Sequence, residues 1–308
     1  MNAQEQFNLD ANQTAYFNRQ LEVVKAQTYD IKYGMLRAVE LFPIDPTTPD
    51  YAETQTYYQY DARGLAKIVA DYATDIPSVE VNGKSFTSKI ESIALSYAYT
   101  IMDIKRGAIQ GTPLNVRKAL ATQRGVLSRH NQLFWLGDTV AGIVGVLTHA
   151  SIPNAQVTAD GTGSSPLWST KTPTQILRDL TQAVTEIKTL TKGVESPNLL
   201  VLSTSRLSTL QTTRMAADTR DTVLDAFKLM YPEINVQGAE ELAGAFTGAT
   251  EGFLLGRNDS SHIELIAPTV YEELPVEPTN LAYKVNAMGR NGGAAVYYPL
   301  AFSKKYGI

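Results

Sequence analysis

The chain has 308 residues, 44% of them hydrophobic and 19% charged, and a formal net charge of -4. That is the composition of a folded protein with room for two domains or one elaborated domain, and it excludes disorder of the chain as a whole. The absence of cysteine removes disulfides, thiolate metal sites and cysteine nucleophiles together. The acidic balance argues against tight binding to nucleic acid, an affinity that scales with the phosphates neutralised by Lys and Arg. No run approaches the roughly eighteen uninterrupted apolar residues of a membrane span, and Met1 to Gln6 lacks the basic flank and apolar stretch of a secretory signal. A protein made and kept in a cytosol is expected.

From Met1 to about Asp50 the sequence is polar and Gln/Asn-rich, and it ends in a segment broken by Pro43, Pro46 and Pro49. Phe17, Leu21 and Val24 sit at helical spacing within a short helix around Tyr16 to Lys25, so part of this arm is expected to dock on a surface. From Tyr51 to about Lys89 larger side chains recur at every second position, as in Thr54 to Tyr60, which is the period of a half-buried strand. Asp61-Ala62-Arg63-Gly64 and Asn82-Gly83 read as turns, the second a strong hairpin dipeptide, so two ribbons are expected. Such an excursion carries too little apolar surface to fold alone and gains order by lying on another surface, a neighbouring copy being the simplest.

Ile93 to Tyr99 repeats the strand period, and Thr100 with Asp103 marks a helix start that leads to a short helix stopping near Gly107 to Gly111. Thr112 then caps a long helix opened by Pro113, with Val116, Leu120, Leu127 and Phe134 as its apolar stripe and Gly137 as its end. Gly125 marks a bend or a close crossing. After the Gly/Ser-rich loop Asp160 to Ser165, helices and strands alternate, the pattern of an α/β unit with its own core. Thr172 and Pro173 open a helix whose face is Ile176, Leu177, Leu180, Val184, Ile187 and Leu190. Leu199 to Leu202 reads as a buried strand, Val223, Leu224 and Phe227 as a helix stopped before Pro232, and Gly252 to Gly256 and His262 to Ala267 as strands. The last forty residues give strands at Leu281 to Met288 and Ala294 to Tyr298, paired across Gly289 to Gly293 and packed back near the long helix.

Catalytic chemistry finds no foothold. His130, His149 and His262 are far apart and in no metal-ligand pattern, and each reads as a packed or surface side chain. Gly161 to Ser165 lacks the Gly-Lys-Ser/Thr ending of a phosphate loop and reads as a flexible loop. Gly289 to Gly293 has strands on both sides where a dinucleotide site needs a helix. Ser203 to Ser205 follows a buried strand without a nucleophile elbow and reads as a helix cap. Glu240-Glu241 and Glu272-Glu273 are adjacent pairs whose side chains diverge, so both read as solvated surface. No cofactor, metal or catalytic residue is assigned.

Specific stretches carry a resemblance. Phe17-Asn18-Arg19-Gln20-Leu21-Glu22 with Lys25 to Asp30, Tyr58-Gln59-Tyr60-Asp61 ahead of Ala66-Lys67-Ile68, and Trp135-Leu136-Gly137-Asp138 leading to Gly142 to His149 resemble, in that order, the major capsid proteins of tailed bacteriophages. Their fold recurs in herpesvirus capsids and encapsulin shells. The resemblance implies an α+β fold with an N-terminal arm at 1–50, an extended β-hairpin loop at 51–89, a peripheral domain with a spine helix at 90–152 and 268–308, and an inserted α/β axial domain at 153–267. It implies a structural, non-enzymatic subunit that assembles in the host bacterial cytoplasm into hexamers and pentamers of an icosahedral head around double-stranded DNA, which it touches only weakly and without sequence preference. Scaffolding, portal and decoration proteins are the further partners, and no membrane is involved. Some relatives carry a long N-terminal scaffolding segment that is cut off. This chain shows none, so a separate scaffold or none is implied.

Within the extended loop, Arg63, Lys67, Asp71 and Lys84 are the candidate intersubunit contacts. Covalent cross-linking through loop lysines is not predicted. Two other readings stay open: an encapsulin-type compartment around a cargo enzyme, and an α/β enzyme built on 173–267.

Overall fold

In the computed structural model the described residues are 34, 36–63, 78–110 and 114–308. The predicted helix at 16–25 and the expected caps at Thr112 and Pro113 lie outside them, as does most of the arm. Residues Leu36–Ile308 form one unit, whose elements run in chain order as follows. Helix α1 (Ala38–Leu41) precedes strands β1 (Thr54–Arg63), β2 (Glu80–Lys89) and β3 (Glu91–Thr100), then helices α2 (Ile101–Gln110) and α3 (Leu114–Leu136). Short strands β4 (Gly137–Asp138), β5 (Ile143–Val144) and β6 (Asn154–Gln156) lead to α4 (Pro173–Leu190), β7 (Leu199–Leu202), α5 (Thr204–Thr212), α6 (Val223–Met230) and β8 (Asn235–Gly238). The chain closes with β9 (Gly252–Gly256), β10 (Ile263–Ile266), β11 (Thr269–Glu273), β12 (Glu277–Thr279), β13 (Ala282–Asn291), β14 (Gly293–Val296) and β15 (Phe302–Tyr306).

The centre is a five-stranded sheet in the order β6-β15-β9-β7-β8. All four residues of β7 are buried because both of its faces are covered, the condition that produces an unbroken apolar strand instead of an alternating one. Leu199 and Val201 face a core that includes Phe134, Trp135, Val146, Leu147 and Phe302. Leu200 and Leu202 face a second core built on Ile176, Leu180, Val184 and Ile187 of α4 and Leu224 and Phe227 of α6. Alternate residues of one strand thus join the tail of the long helix to the α/β half. The last strand, expected beside the spine as part of 268–308, lies inside this sheet between β6 and β9.

Helix α4 begins as its sequence dictates. The Thr172 side chain accepts from the Gln175 N–H while the Gln175 side chain accepts from the Thr172 N–H, and Pro173 fills the first turn, where its missing N–H costs nothing. Thr100 and Asp103 make the same reciprocal pair ahead of α2, at 3.1 Å each way. Leu190, by contrast, is exposed at the end of the α4 face. The loop at 160–165, read as flexible, is hydrogen-bonded: the Gly161 N–H donates to the Ser165 carbonyl at 2.9 Å and the Thr162 N–H to that of Thr170 at 3.0 Å. Beneath it an ion pair is fully buried, with Lys171 Nζ 2.5 Å from Asp179 Oδ2 and both side chains 0% exposed. Trp168 Nε1 donates to the same carboxylate oxygen at 3.1 Å.

The long helix α3 ends at Gly137, whose φ of +68 takes it out of the helix at the residue type that tolerates it. Its stripe departs from expectation. Val116 and Leu120 are exposed, and the buried apolar residues lie in the second half, at Val126, Leu133, Phe134 and Trp135. The sheet of β3 and β13 covers the helix there, and it crosses so closely at Gly125 that an added Cβ would lie 2.7 Å from the Leu95 side chain.

Two expected hairpins are absent. Asp61 to Arg63 continue β1, and Asn82-Gly83 lie inside β2 opposite Asp61 and Tyr60, so the described residues form one long ribbon instead of two. The Tyr60 ring covers the site of the missing Gly83 side chain, 3.1 Å from where its Cβ would be, and a cross-strand aromatic over glycine holds such a residue in a strand. The C-terminal strands do not pair with each other either: β13 runs on through Gly289 and Arg290 to Asn291, paired with β3 and β11, while β14 pairs with β10. Gly292-Gly293, with φ +76 at the second residue, moves the chain from one sheet to the other. Gly289 is needed for contact, since a Cβ there would meet His130 Nε2 at 2.5 Å and the Val270 carbonyl at 2.9 Å. The expectation that this segment packs back on the long helix holds through that contact.

Gly289→Ala should therefore cost about 1–3 kcal/mol by overpacking. Urea unfolding of the unassembled protein measures it, and a loss below about 0.5 kcal/mol would mean that the crossing is looser than drawn.

Candidate assembly interface

The ribbon of β1 and β2 is a two-stranded sheet that pairs with no other strand among the described residues. Its root is built from four segments. Ile90, at the junction of β2 and β3, is buried against Ile266 and Ala295, and its N–H donates to the Glu53 carbonyl at 2.9 Å. The Tyr57 hydroxyl donates to the Val296 carbonyl at 3.0 Å. The Tyr57 ring stacks on Phe86 across the ribbon and meets Tyr297 edge-on, with centroids 5.1 and 4.9 Å away.

Asp45 completes the root from the Pro-broken segment. It is only 4% exposed and accepts from the Thr47 N–H at 2.7 Å, Thr47 Oγ1 at 2.6 Å, Thr48 Oγ1 at 2.5 Å and Gln55 Nε2 of β1 at 2.6 Å. Burial alone would raise this carboxyl, but the hydrogen bonds outweigh it and hold the group below the usual carboxylate range. Tyr297 is pushed above the usual phenol range, by burial first and then by its hydrogen bond to Glu264, which it makes at 2.8 Å.

Register gives the ribbon two unlike faces, because cross-strand partners share a face and successive residues alternate. One face holds the pairs Gln55–Ser88, Tyr57–Phe86, Gln59–Lys84, Asp61–Asn82 and Arg63–Glu80, and the other Thr56–Thr87, Tyr58–Ser85, Tyr60–Gly83 and Ala62–Val81. The Tyr57 face contains four of the ribbon's five charged residues. The fifth, Lys89, stands opposite Thr54 at the root of the Tyr58 face, and beyond it Tyr58 and Tyr60 are 66% and 70% exposed.

The sequence-derived contact residues divide accordingly. Arg63 and Lys84 hold register positions on the charged face, and the Lys84 ammonium sits 4.8 Å from the Phe86 ring centroid. Lys67 and Asp71 lie outside the described residues. Of the four, the structure describes the side chain of Lys84, and it brings that one to Phe86. Tyr58, Tyr60 and Asp45 were not singled out from sequence, although the period-two spacing that reveals the strand already separates Tyr57 from Tyr58.

Elsewhere the chemistry is structural. The stretch 135–149 folds back on the end of α3, with the Val146 and Leu147 N–H groups donating to the Phe134 and Trp135 carbonyls at 2.8 and 2.9 Å. Lys304 of β15 fastens it from the other side, donating from its buried ammonium to the Leu147 and His149 carbonyls at 2.8 and 2.9 Å. Burial holds that ammonium below the usual lysine range.

His149 is half-buried beside it, and burial lowers its imidazole as well. His130 is buried, its Nδ1 2.8 Å from Asn291 Nδ2, and burial pushes its pKa down to about 4. His262 lies 2.9 Å from Glu195. Ser203 caps α5, as its sequence suggested. Glu241, read as solvated, is half-buried and accepts from Asn131 Nδ2 at 2.6 Å and the Arg37 N–H at 3.2 Å, because α1 packs across the long helix there. Among the described residues no group of three His, Cys, Asp or Glu side chains is placed to hold a metal ion, and no helix is long and apolar enough to cross a membrane.

The family model described as major capsid protein matches residues 64–308. The chain belongs to that family. Among solved structures it is similar to the capsid of Myoviridae phage XM1, at 15% identity and a TM-score of 0.81 over 94% of this chain and 98% of that one. The capsid of a native GTA particle is 12% identical, with a TM-score of 0.67 over 97% and 99% of the two chains. A virus-like particle from Pyrococcus furiosus is 11% identical, with a TM-score of 0.54 over 87% and 91%. At these identities the likeness is one of fold. No curated protein matches the chain. The capsid family makes this a structural subunit that assembles with copies of itself into a shell, and its α+β architecture is the tailed-phage capsid fold.

Two measurements probe this part of the subunit. Asp45→Ala removes four hydrogen bonds at the root and should destabilise the unassembled subunit by roughly 2–4 kcal/mol, read from urea unfolding; a loss under about 1 kcal/mol would show that the root does not depend on Asp45. His130 gives a pH signature. Its folded pKa lies below its unfolded value near 6.5, so between the two the unfolded chain binds a proton that the folded one refuses. The associated stability is complete above about pH 6.5 and declines as pH falls toward 4, by about 2 kcal/mol at pH 5. His130→Gln should lose that part of the slope between pH 7 and 5, and an unchanged slope would show that His130 is not its source.

Proposed function

We propose that this capsid protein is the major head subunit of a tailed phage, forming hexamers and pentamers that close an icosahedral shell around double-stranded DNA. The observation that carries the reading is the ribbon: in a chain of the capsid family, a strand pair held at its root pairs with no other strand among the described residues. The ribbon then clamps each subunit to the next. Exposed ion pairs such as those available to Arg63, Lys67, Asp71 and Lys84 contribute about 0–1 kcal/mol each, so the shell's strength comes from repetition and from buried ribbon and arm surface. Weak single contacts also let misplaced subunits leave.

The same proposal divides the chain into arm (1–50), extended loop (51–89), peripheral domain (90–152 and 268–308) and axial domain (153–267). It gives the chain no catalytic role, places assembly in the host bacterial cytoplasm, and makes scaffolding, portal and decoration proteins its partners. The net charge of -4 supports contact with packaged DNA that is weak and independent of sequence.

Electron microscopy of the heterologously expressed protein tests the reading. Closed particles are expected from the full chain. Deletion of Asp61 to Ser85 should leave a folded subunit that no longer assembles, and normal shells from that deletion would refute the clamp. Particles filled with one host enzyme in place of nucleic acid would favour an encapsulin-type compartment.

A further inference from the structure

Beneath the 160–165 loop a primary amine and a carboxyl group are sealed together. The side chains of Lys171 and Asp179 are both 0% exposed, with Nζ 2.5 Å from Oδ2. Other ion pairs, such as Lys89 with Glu91 and Arg129 with Asp138, keep both members in contact with water and so remain hydrated ions. Three groups surround the sealed pair. Asp160 Oδ1 lies 3.4 Å from Lys171 Nζ, and Trp168 Nε1 donates to Asp179 Oδ2 at 3.1 Å. Asp179 Oδ1 is buried without a hydrogen-bond partner, its nearest cation being Arg178 Nη2 at 3.5 Å. Asp179 also borders a cavity of about 20 Å3 shared with Gln156, Thr158 and Gln182, which is polar and large enough for one water molecule.

We infer that Lys171 and Asp179 condense into an amide between Nζ and Cγ within one protomer, with Asp160 as proton carrier. The reaction needs no enzyme, cofactor or oxidant: an ammonium and a carboxylate become a secondary amide and one water. Nζ first gives a proton to its carboxyl partner, which leaves a neutral amine beside a carboxylic acid. The amine lone pair then forms the N–C bond at Cγ, and the displaced electron pair gathers on Oδ2, where the Trp168 N–H stabilises it. Asp160 takes a second proton from the nitrogen and returns it to the departing Oδ1. The C–O bond breaks, the carbonyl reforms on Oδ2, and water leaves with the cavity beside Asp179 to receive it.

Two physical effects favour a condensation that water would disfavour. Burial removes the hydration that holds ammonium and carboxylate as ions, so exchange of the proton within the pair costs far less than in solvent. Fixed geometry supplies the rest, since well-placed intramolecular partners react as if present at roughly 10^5–10^8 M. Lysine is suited to this position and arginine is not, because a permanently charged guanidinium can only form the ion pair. The product replaces two buried ions by a neutral amide and pins the segment entering α4 to the second turn of that helix. The bond lies inside one chain, so it does not depend on the capsid reading above and links no subunits.

Mass spectrometry of the purified full-length protein tests the inference. The parent should be lighter than its sequence by one water molecule, and Lys171→Arg should have its full sequence mass. Trypsin should leave the Lys171–Thr172 bond of the parent uncut and cut after Arg178 without separating the two flanking peptides. A succinimide at Asp160-Gly161 would lose the same mass, but trypsin would still cut after Lys171 and Lys171→Arg would stay light. That pattern, or a parent at full sequence mass after prolonged incubation, would overturn the inference and leave a plain buried ion pair. The parent's own mass and peptide map decide the matter even if Lys171→Arg fails to fold. Asp160→Asn should slow bond formation by about 10^2-fold or more, read as the fraction still at full mass at set times after synthesis. An unchanged rate would remove Asp160 from the step.

Discussion

A single tyrosine at the root of the ribbon orders much else in this subunit. Fixing Tyr57 to the Val296 carbonyl and the Tyr297 ring sets which way every later residue of β1 points, because a strand has only two faces and a slip of one position would exchange them. Asp45 reinforces the setting through Gln55, two residues before Tyr57 on the same face. The ribbon thus leaves the body with its register and its facing already decided. A subunit that must meet identical copies benefits from that arrangement, since the entropy of choosing a direction is lost on folding and not at the moment of contact.

The body behind the root is suited to bear load. One core runs from Phe134 and Trp135 through Val146 and Leu147 to Leu199, Leu254 and Phe302, so the tail of the long helix and the five-stranded sheet share side chains. Lys304 adds a polar bolt across the same junction. Packed interiors transmit strain instead of absorbing it. Adjustment to neighbours therefore falls to the elements with least burial, the ribbon beyond Tyr57 and the first half of α3, and these are the elements that carry the uncovered apolar surfaces.

Much of this was legible in the sequence where the signal is local. The Thr172-Pro173-x-Gln175 start, the Thr100/Asp103 pair, the run Leu199 to Leu202 and the stop at Gly137 each declare themselves through chemistry within a few residues, and each stands where it was expected. Long-range geometry defeated the reading elsewhere. Asn82-Gly83 has the local preference of a turn, but Tyr60, twenty-three positions before the glycine, covers it within the strand pair. Gly289 resembles a hairpin glycine until His130 is seen against it. The Val116–Leu120 stripe has the spacing of a buried face, yet both residues are exposed. Periodicity reports a helix face without saying what lies against it.

That last case shows how the expected contact residues relate to the surfaces that are uncovered. Charged side chains draw attention in a polar loop, yet each exposed pair is weak and screened. Aromatic side chains are fewer and carry far more contact area. In this ribbon the pleat puts Lys84 and Asp61 on one face with Tyr57 and Phe86, which lie toward the root, and Tyr58 and Tyr60 on the other, where they are exposed. A flat strand pair with apolar residues on both faces would invite unregulated association along its edges. The charged register positions on the Tyr57 face work against such association.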